Sequence, residues 1–135
     1  MARYSEPYIY RLTIHNRSEH DLTLAASRRN QGVWFREGID DAGPVTVQAG
    51  ASVEALGIRA ASGMAKGYEC RCTWESDSDE PGLRNSLTLF ISVPLMSGKN
   101  RAGLDVSGHI KVEGWTGVST IGHCFEHTLV VRKCF

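Results

Sequence analysis

Tyr68-Glu69-Cys70-Arg71-Cys72-Thr73-Trp74-Glu75 alternates without a break. Tyr68, Cys70, Cys72 and Trp74 fall on one face, and Glu69, Arg71, Thr73 and Glu75 on the other. A period of two over eight residues means a strand with one buried side, because successive side chains on a pleated backbone point to opposite faces. The two cysteines are therefore read first as small core residues. Residues two apart on a strand lie roughly 6.5 Å apart, so a bond between Cys70 and Cys72 would require distortion.

The same period recurs on both sides of this stretch. Tyr8 to His15 places Tyr8, Tyr10, Leu12 and Ile14 on one face; after the polar turn Asn16–Asp21, Leu22 to Ala26 resumes it, and the two read as an antiparallel hairpin. Asp41-Ala42-Gly43-Pro44 breaks the chain before Val45-Thr46-Val47, and Ser52 to Ala60 reads as a strand with a bulge at Gly57. Ser76-Asp77-Ser78-Asp79-Glu80-Pro81-Gly82 is a solvated hairpin loop; its acids lack the glycine and distal glutamate of a calcium loop. Ser86 to Val93 buries Leu87, Leu89, Ile91 and Val93 and stops at Pro94. His109 to Glu113 is a further strand, Gly114-Trp115-Thr116-Gly117 a turn, and Glu126 to Lys133 a closing strand. No helical period is present, so seven or eight strands at turn-bounded intervals predict an all-β, single-domain antiparallel β-sandwich over residues 1–135.

Composition narrows what such a sandwich does. The 135 residues are 41% hydrophobic and 22% charged, as in ordinary globular chains. Fifteen Lys and Arg balance fifteen Asp and Glu, so the long-range field behind non-specific nucleic-acid binding is missing and no nucleic-acid partner is expected. Approach to a membrane would rest on aromatic insertion and head-group recognition, not on attraction to anionic lipid. The first residues contain no apolar signal segment and no stretch is long enough to span a bilayer. The expectation is a protein that stays in the cytoplasm or is released without a secretory signal, acting at membrane surfaces. Cys70, Cys72, Cys124 and Cys134 are too few and too unevenly spaced for a disulfide scaffold; reduced thiols are expected, with pairing of Cys124 and Cys134 across neighbouring strands, or with Cys70 and Cys72, open in an oxidising medium.

Gly32-Val33-Trp34-Phe35-Arg36-Glu37-Gly38 sets two large aromatics between glycines, either as a short strand pinning a core or as an aromatic ridge near the surface. This run resembles the Gly-x-Trp-Tyr-basic-acidic-Gly segment of the aegerolysins. The likeness continues, in order, with Asn16-x-Ser18, Gly63-x-x-x-Gly67, Pro94 followed by Ser97-Gly98-Lys99-Asn100, Val112-x-Gly114-Trp115 and Val130-x-Arg132-Lys133. Tyr10 and Thr13 stand where many fungal members carry tryptophan and histidine, and Val93 and Leu95 flank Pro94 in place of a cysteine and an aromatic. The resemblance implies an aegerolysin- or actinoporin-like sandwich that binds sphingolipid- or sterol-rich membranes, and a larger partner of membrane-attack fold wherever cytolysis or pore formation occurs. A homo-oligomer is compatible with it.

Lipid-binding candidates, from the resemblance and from loop placement, are Trp34, Phe35, Leu95, Met96, Lys99 and Trp115, whereas Trp74 continues the buried face of its strand. His123-Cys124-x-x-His127 gathers three potential metal ligands, but two histidines four apart in a turn entering a strand need not converge, and no second ligand pair exists. No metal or cofactor is expected. Histidines, cysteines and acids are present without a nucleophile elbow or other mechanistic motif, so no enzyme is expected. A lectin-like module reading a carbohydrate or glycolipid head, and a non-lytic intracellular interaction protein, are the rival readings.

Overall fold

The computed structural model describes residues 8–61, 67–94 and 98–134. Among them are ten strands: β1 (Ile9–Arg17), β2 (Thr23–Gln31), β3 (Val33–Arg36), β4 (Ile39–Asp40), β5 (Ser52–Arg59), β6 (Tyr68–Asp77), β7 (Arg84–Val93), β8 (Arg101–Ser107), β9 (Ile110–Glu113) and β10 (Cys124–Lys133). They form a six-stranded sheet in the order β4-β3-β5-β1-β10-β9 and a four-stranded sheet in the order β2-β6-β7-β8. No helix among the described residues is long and apolar enough to cross a membrane.

The alternation that predicts the sandwich is what closes it. Tyr10, Leu12 and Ile14 from β1, Leu129 and Val131 from β10, Tyr68, Cys70, Cys72 and Trp74 from β6, and Leu87, Leu89, Ile91 and Val93 from β7 are all buried in one core. Burial of such side chains is worth about 1.5–3 kcal/mol each, the main term holding the two sheets together. The buried polar atoms find partners: the Trp74 indole donates to the Val45 carbonyl at 2.8 Å, and the Tyr68 hydroxyl lies 3.1 Å from both the Ile9 and His123 carbonyls.

Several expectations are corrected. β1 and β2 are not a hairpin; the chain crosses from one sheet to the other between them, because both faces of the core need a strand there. β1 instead pairs with β10 in parallel, Ile9 opposite Cys124 through Arg17 opposite Arg132, a parallel pair inside an otherwise antiparallel sandwich. Arg28 to Gln31 continues β2 along the sheet edge, beyond the stretch Leu22 to Ala26 in which the alternation is seen. The bulge in β5 falls on Ala55, skipped between the pairs Leu12–Leu56 and Thr13–Glu54, and not on Gly57. β8 carries only a weak alternation, broken by Gly103 and Asp105, and its pairing with β7 makes it a strand. Cys124 and Cys134 sit at opposite ends of β10, about 30 Å apart at strand rise, and so cannot pair with each other within one chain. All four cysteines are free thiols.

All the strand pairings agree on two ends. At one lie the starts of β1, β3, β6, β8 and β10 and the ends of β2, β5 and β7; this end is called the tip below. The opposite end is closed by charge: Asp79 on the β6–β7 hairpin loop accepts from His20 at 2.9 Å and pairs with Lys133, which also reaches Glu19 at 3.2 Å. Lys133, and then His20, hold the Asp79 carboxyl down to about 2. Its folded value lies below the unfolded one, so this contribution is complete above pH 4 or so and disappears as pH falls toward 2. Thermal melts from pH 5 to 2 should therefore show a steeper loss in the native chain than in Asp79→Asn; equal slopes would refute the linkage.

Candidate functional site

The aromatic run folds as the sequence requires. Gly32 at φ +96° lets the chain turn into β3, where an added Cβ would lie 2.7 Å from the Arg59 carbonyl oxygen. Glu37 and Gly38, both at positive φ, form the two-residue turn that pairs Phe35 with Asp40 and Arg36 with Ile39. Alternation then separates the two aromatics. Trp34 lies opposite the buried Ile58 and packs half-buried against the core beside Gly43. Phe35 points the other way, half-buried, with the Arg59 guanidinium 5.6 Å from its ring centre and Arg59 itself paired to Asp40 at 2.9 Å. The stretch is thus both a short strand against the core and a partly exposed ridge.

Trp115 belongs to the opposite edge. It follows β9 and packs at a tilt of 32° against His127, with ring centres 4.4 Å apart. His127 lies on the inward face of β10, accepts from the Tyr10 hydroxyl through Nδ1 at 2.8 Å, and donates from Nε2 to the Gly117 carbonyl at 2.8 Å, with Thr116 Oγ1 at 3.1 Å. A carbonyl only accepts, so Nε2 carries a proton; burial favours the neutral ring, in which Nδ1 takes the Tyr10 hydrogen. Burial lowers the His127 pKa against the opposing pull of Gly117, and burial raises that of Tyr10. β5, β1 and β10 separate β3 from β9, so Trp34 and Trp115 plug two different edges of the sandwich. They cannot share one flat contact.

At the tip, Lys99 is exposed on the β7–β8 connection, on which Leu95 and Met96 lie outside the described residues, as do residues 62–66 of the Gly63-x-x-x-Gly67 loop. The next residue ties this connection to the one carrying Trp115. The buried Asn100 side chain donates to the Ser119 and Gly122 carbonyls at 3.1 and 2.8 Å, and its backbone N–H to the Thr120 carbonyl at 3.3 Å. Between those carbonyls stands Ile121, 81% exposed. Nearby, Tyr8 and His123 stack at 4.0 Å. The sequence reading missed Ile121, and it met Asn100 only as the last residue of the run Ser97-Gly98-Lys99-Asn100. The available signal was a single large apolar residue inside the polar, glycine-bearing run Ser119-Thr120-Ile121-Gly122.

The metal-ligand grouping does not form: His123 stacks on Tyr8, whereas both ring nitrogens of His127 are engaged inside the sandwich. Among the described residues no three His, Cys, Asp or Glu side chains are placed to hold a metal ion.

No protein-family model matches the sequence, and no curated protein matches it. Solved structures match its fold. IP-1A from Alcaligenes faecalis is similar with a TM-score of 0.70 at 16% identity, over 96% of this chain and 95% of that one. RahU, solved in complex with a Tris molecule, is similar with a TM-score of 0.69 at 15% identity, over 98% of each chain. The lipid-binding protein Nakanori is similar with a TM-score of 0.60 at 11% identity, over 98% of this chain and 73% of that one. At such identities the likeness carries the architecture, and the architecture of this chain is an aegerolysin-like β-sandwich.

Proposed function

We propose that this protein binds the surface of sphingolipid- or sterol-rich membranes through the tip of its sandwich, and that it does no covalent chemistry. The observation that carries the reading is Ile121, a large apolar side chain held out into solvent on a connection that Asn100 fastens from below. Exposing an aliphatic side chain is unfavourable unless something apolar receives it, and a bilayer interface does so. Lys99, with Leu95 and Met96 on the same connection, supplies the flanking head-group contacts; Trp115 is the platform beneath, and Trp34 with Phe35 buttresses the far edge. The shared fold with a lipid-binding protein supports this assignment. Perforation, where it happens, falls to a larger partner of membrane-attack fold.

Co-sedimentation with liposomes containing sphingomyelin and cholesterol, or ceramide phosphoethanolamine, tests it at low and high salt. Pelleting that ignores salt is expected, because the chain carries no net charge. Ile121→Asp, at an exposed site, should leave the melting temperature unchanged and weaken pelleting at least about tenfold, since it removes the inserted apolar group and adds a charge. Pelleting as strong as the native chain's, or none with any lipid by either, would overturn the assignment; capture by a glycan array in the second case would point to sugar instead.

A further inference from the structure

The four outer edges of the two sheets differ in how well they are defended. A sheet edge left straight and unpaired is a template for another strand, and proteins blunt such edges by shortness, bulges, proline or charge. β4 has two residues and β9 has four. β2 is long, but its ladder with β6 is bulged twice, between Leu24 and Ala26 and between Arg29 and Gln31, and it carries Arg28 and Arg29. Among the described residues β8 is the long edge with neither bulge nor proline: seven residues pair with β7 in unbroken register from Arg101 to Ser107, Val106 among them is exposed, and its only charges, Arg101 and Asp105, are of opposite sign.

Its outer face also holds an unmatched pair of charges. Arg101, Gly103, Asp105 and Ser107 alternate onto that face. Arg101 lies over the Phe90 ring at 5.7 Å and acts on Glu69 only at longer range; neither Arg101 nor Asp105 makes an ion pair among the described residues. Four residues apart on one strand, about 13 Å, they cannot reach each other.

We propose that β8 is the interface of a symmetric dimer with a second copy of this chain. A two-fold axis through Gly103 runs the two β8 strands antiparallel, so that Arg101 of each copy meets Asp105 of the other on the same face, and Ala102 meets Leu104. An isologous contact has to be self-complementary, and this one is: both crossings pair opposite charges, and the central crossing is glycine on glycine, where no atom lies within 4 Å of an added Cβ. The charges also choose the register. Moving the axis to Leu104 sets Arg101 against Ser107 and Gly103 against Asp105, leaving both charges unmatched. The two four-stranded sheets become one sheet of eight strands, with the two tips pointing in opposite directions. A seven-residue edge is small, in the class of interfaces below about 1,200 Å² that associate weakly and reversibly.

Sedimentation velocity from roughly 1 µM to several hundred µM, the range of such weak pairs, tests it. The native chain should pass from monomer to dimer. Arg101→Asp and Asp105→Arg should each remain monomeric throughout, because each places like charges at both crossings, while their melting curves stay native-like. An equimolar mixture of the two variants restores opposite charges at both crossings and should dimerise again. A native chain that stays monomeric, a single variant that dimerises as tightly as the native chain, or a mixture that stays monomeric would each overturn the proposal. None of these readouts involves lipid, so they leave the membrane assignment untouched.

Discussion

Gly57→Ala should destabilise the protein by about 3–4 kcal/mol, the upper range for a single substitution, and should do so by detaching β3. A Cβ on residue 57 would lie 2.0 Å from the Phe35 carbonyl oxygen and 2.9 Å from the Phe35 carbonyl carbon. Both are backbone atoms, so no rotamer change relieves the overlap; the strand must move. β3 is the place that gives, because it holds β5 through only two paired positions, Val33 opposite Arg59 and Trp34 opposite Ile58, whereas β5 is held along its length by β1. Trp34 would then lose its packing against the core. Urea unfolding followed by tryptophan emission should show a lower midpoint and a red-shifted native baseline. Native-like stability would mean that the close approach of β3 to Gly57 is not a feature of the folded chain.

The second large effect is expected at His127. His127→Leu leaves the buried Tyr10 hydroxyl without its acceptor and takes away the donor to Gly117 and the ring beneath Trp115. An orphaned buried polar group costs about 1–3 kcal/mol, and the lost aromatic contact adds to it, so about 2–4 kcal/mol is expected in total. Adding Tyr10→Phe removes the orphan, and the double variant should be more stable than His127→Leu alone; if it is less stable, the hydrogen bond is not what the single substitution breaks. The same network sets a pH dependence. His127 titrates below its ordinary value near 6.5 in the folded chain, so the unfolded chain binds more protons over that interval. Stability is complete above pH 6.5 and falls as the pH is lowered through the folded pKa. Unfolding free energies measured from pH 7.5 to 5 should fall in the native chain and be flatter in the double variant.

The shared cause of both effects is that local residues meet distant ones. Gly57 was legible as an interruption in a strand, and the bulge assigned to it falls instead two residues earlier, because its role is to admit a second strand across its backbone. His127 was legible only as a neighbour of His123 in a ligand spacing. Its actual partner, Tyr10, is 117 residues away.

What the amino-acid order determined unaided is the alternation. Period two marks β1, β6, β7, β9 and β10, and it names most of the side chains that prove buried, Trp74 included, because a strand's two faces are a property of the strand alone. The same is true of Gly32 and Gly38 flanking the aromatic run, where positive φ excludes most other residues. Only the tertiary structure decided which strands are neighbours: the parallel pairing of β1 with β10, the parting of β1 and β2 into different sheets, the placing of Trp34 and Trp115 on opposite edges, and the seating of Ile121 on Asn100 at the tip. Partner and register are settled by which apolar faces can cover one another across the whole chain, and a pattern read a few residues at a time carries no record of that choice.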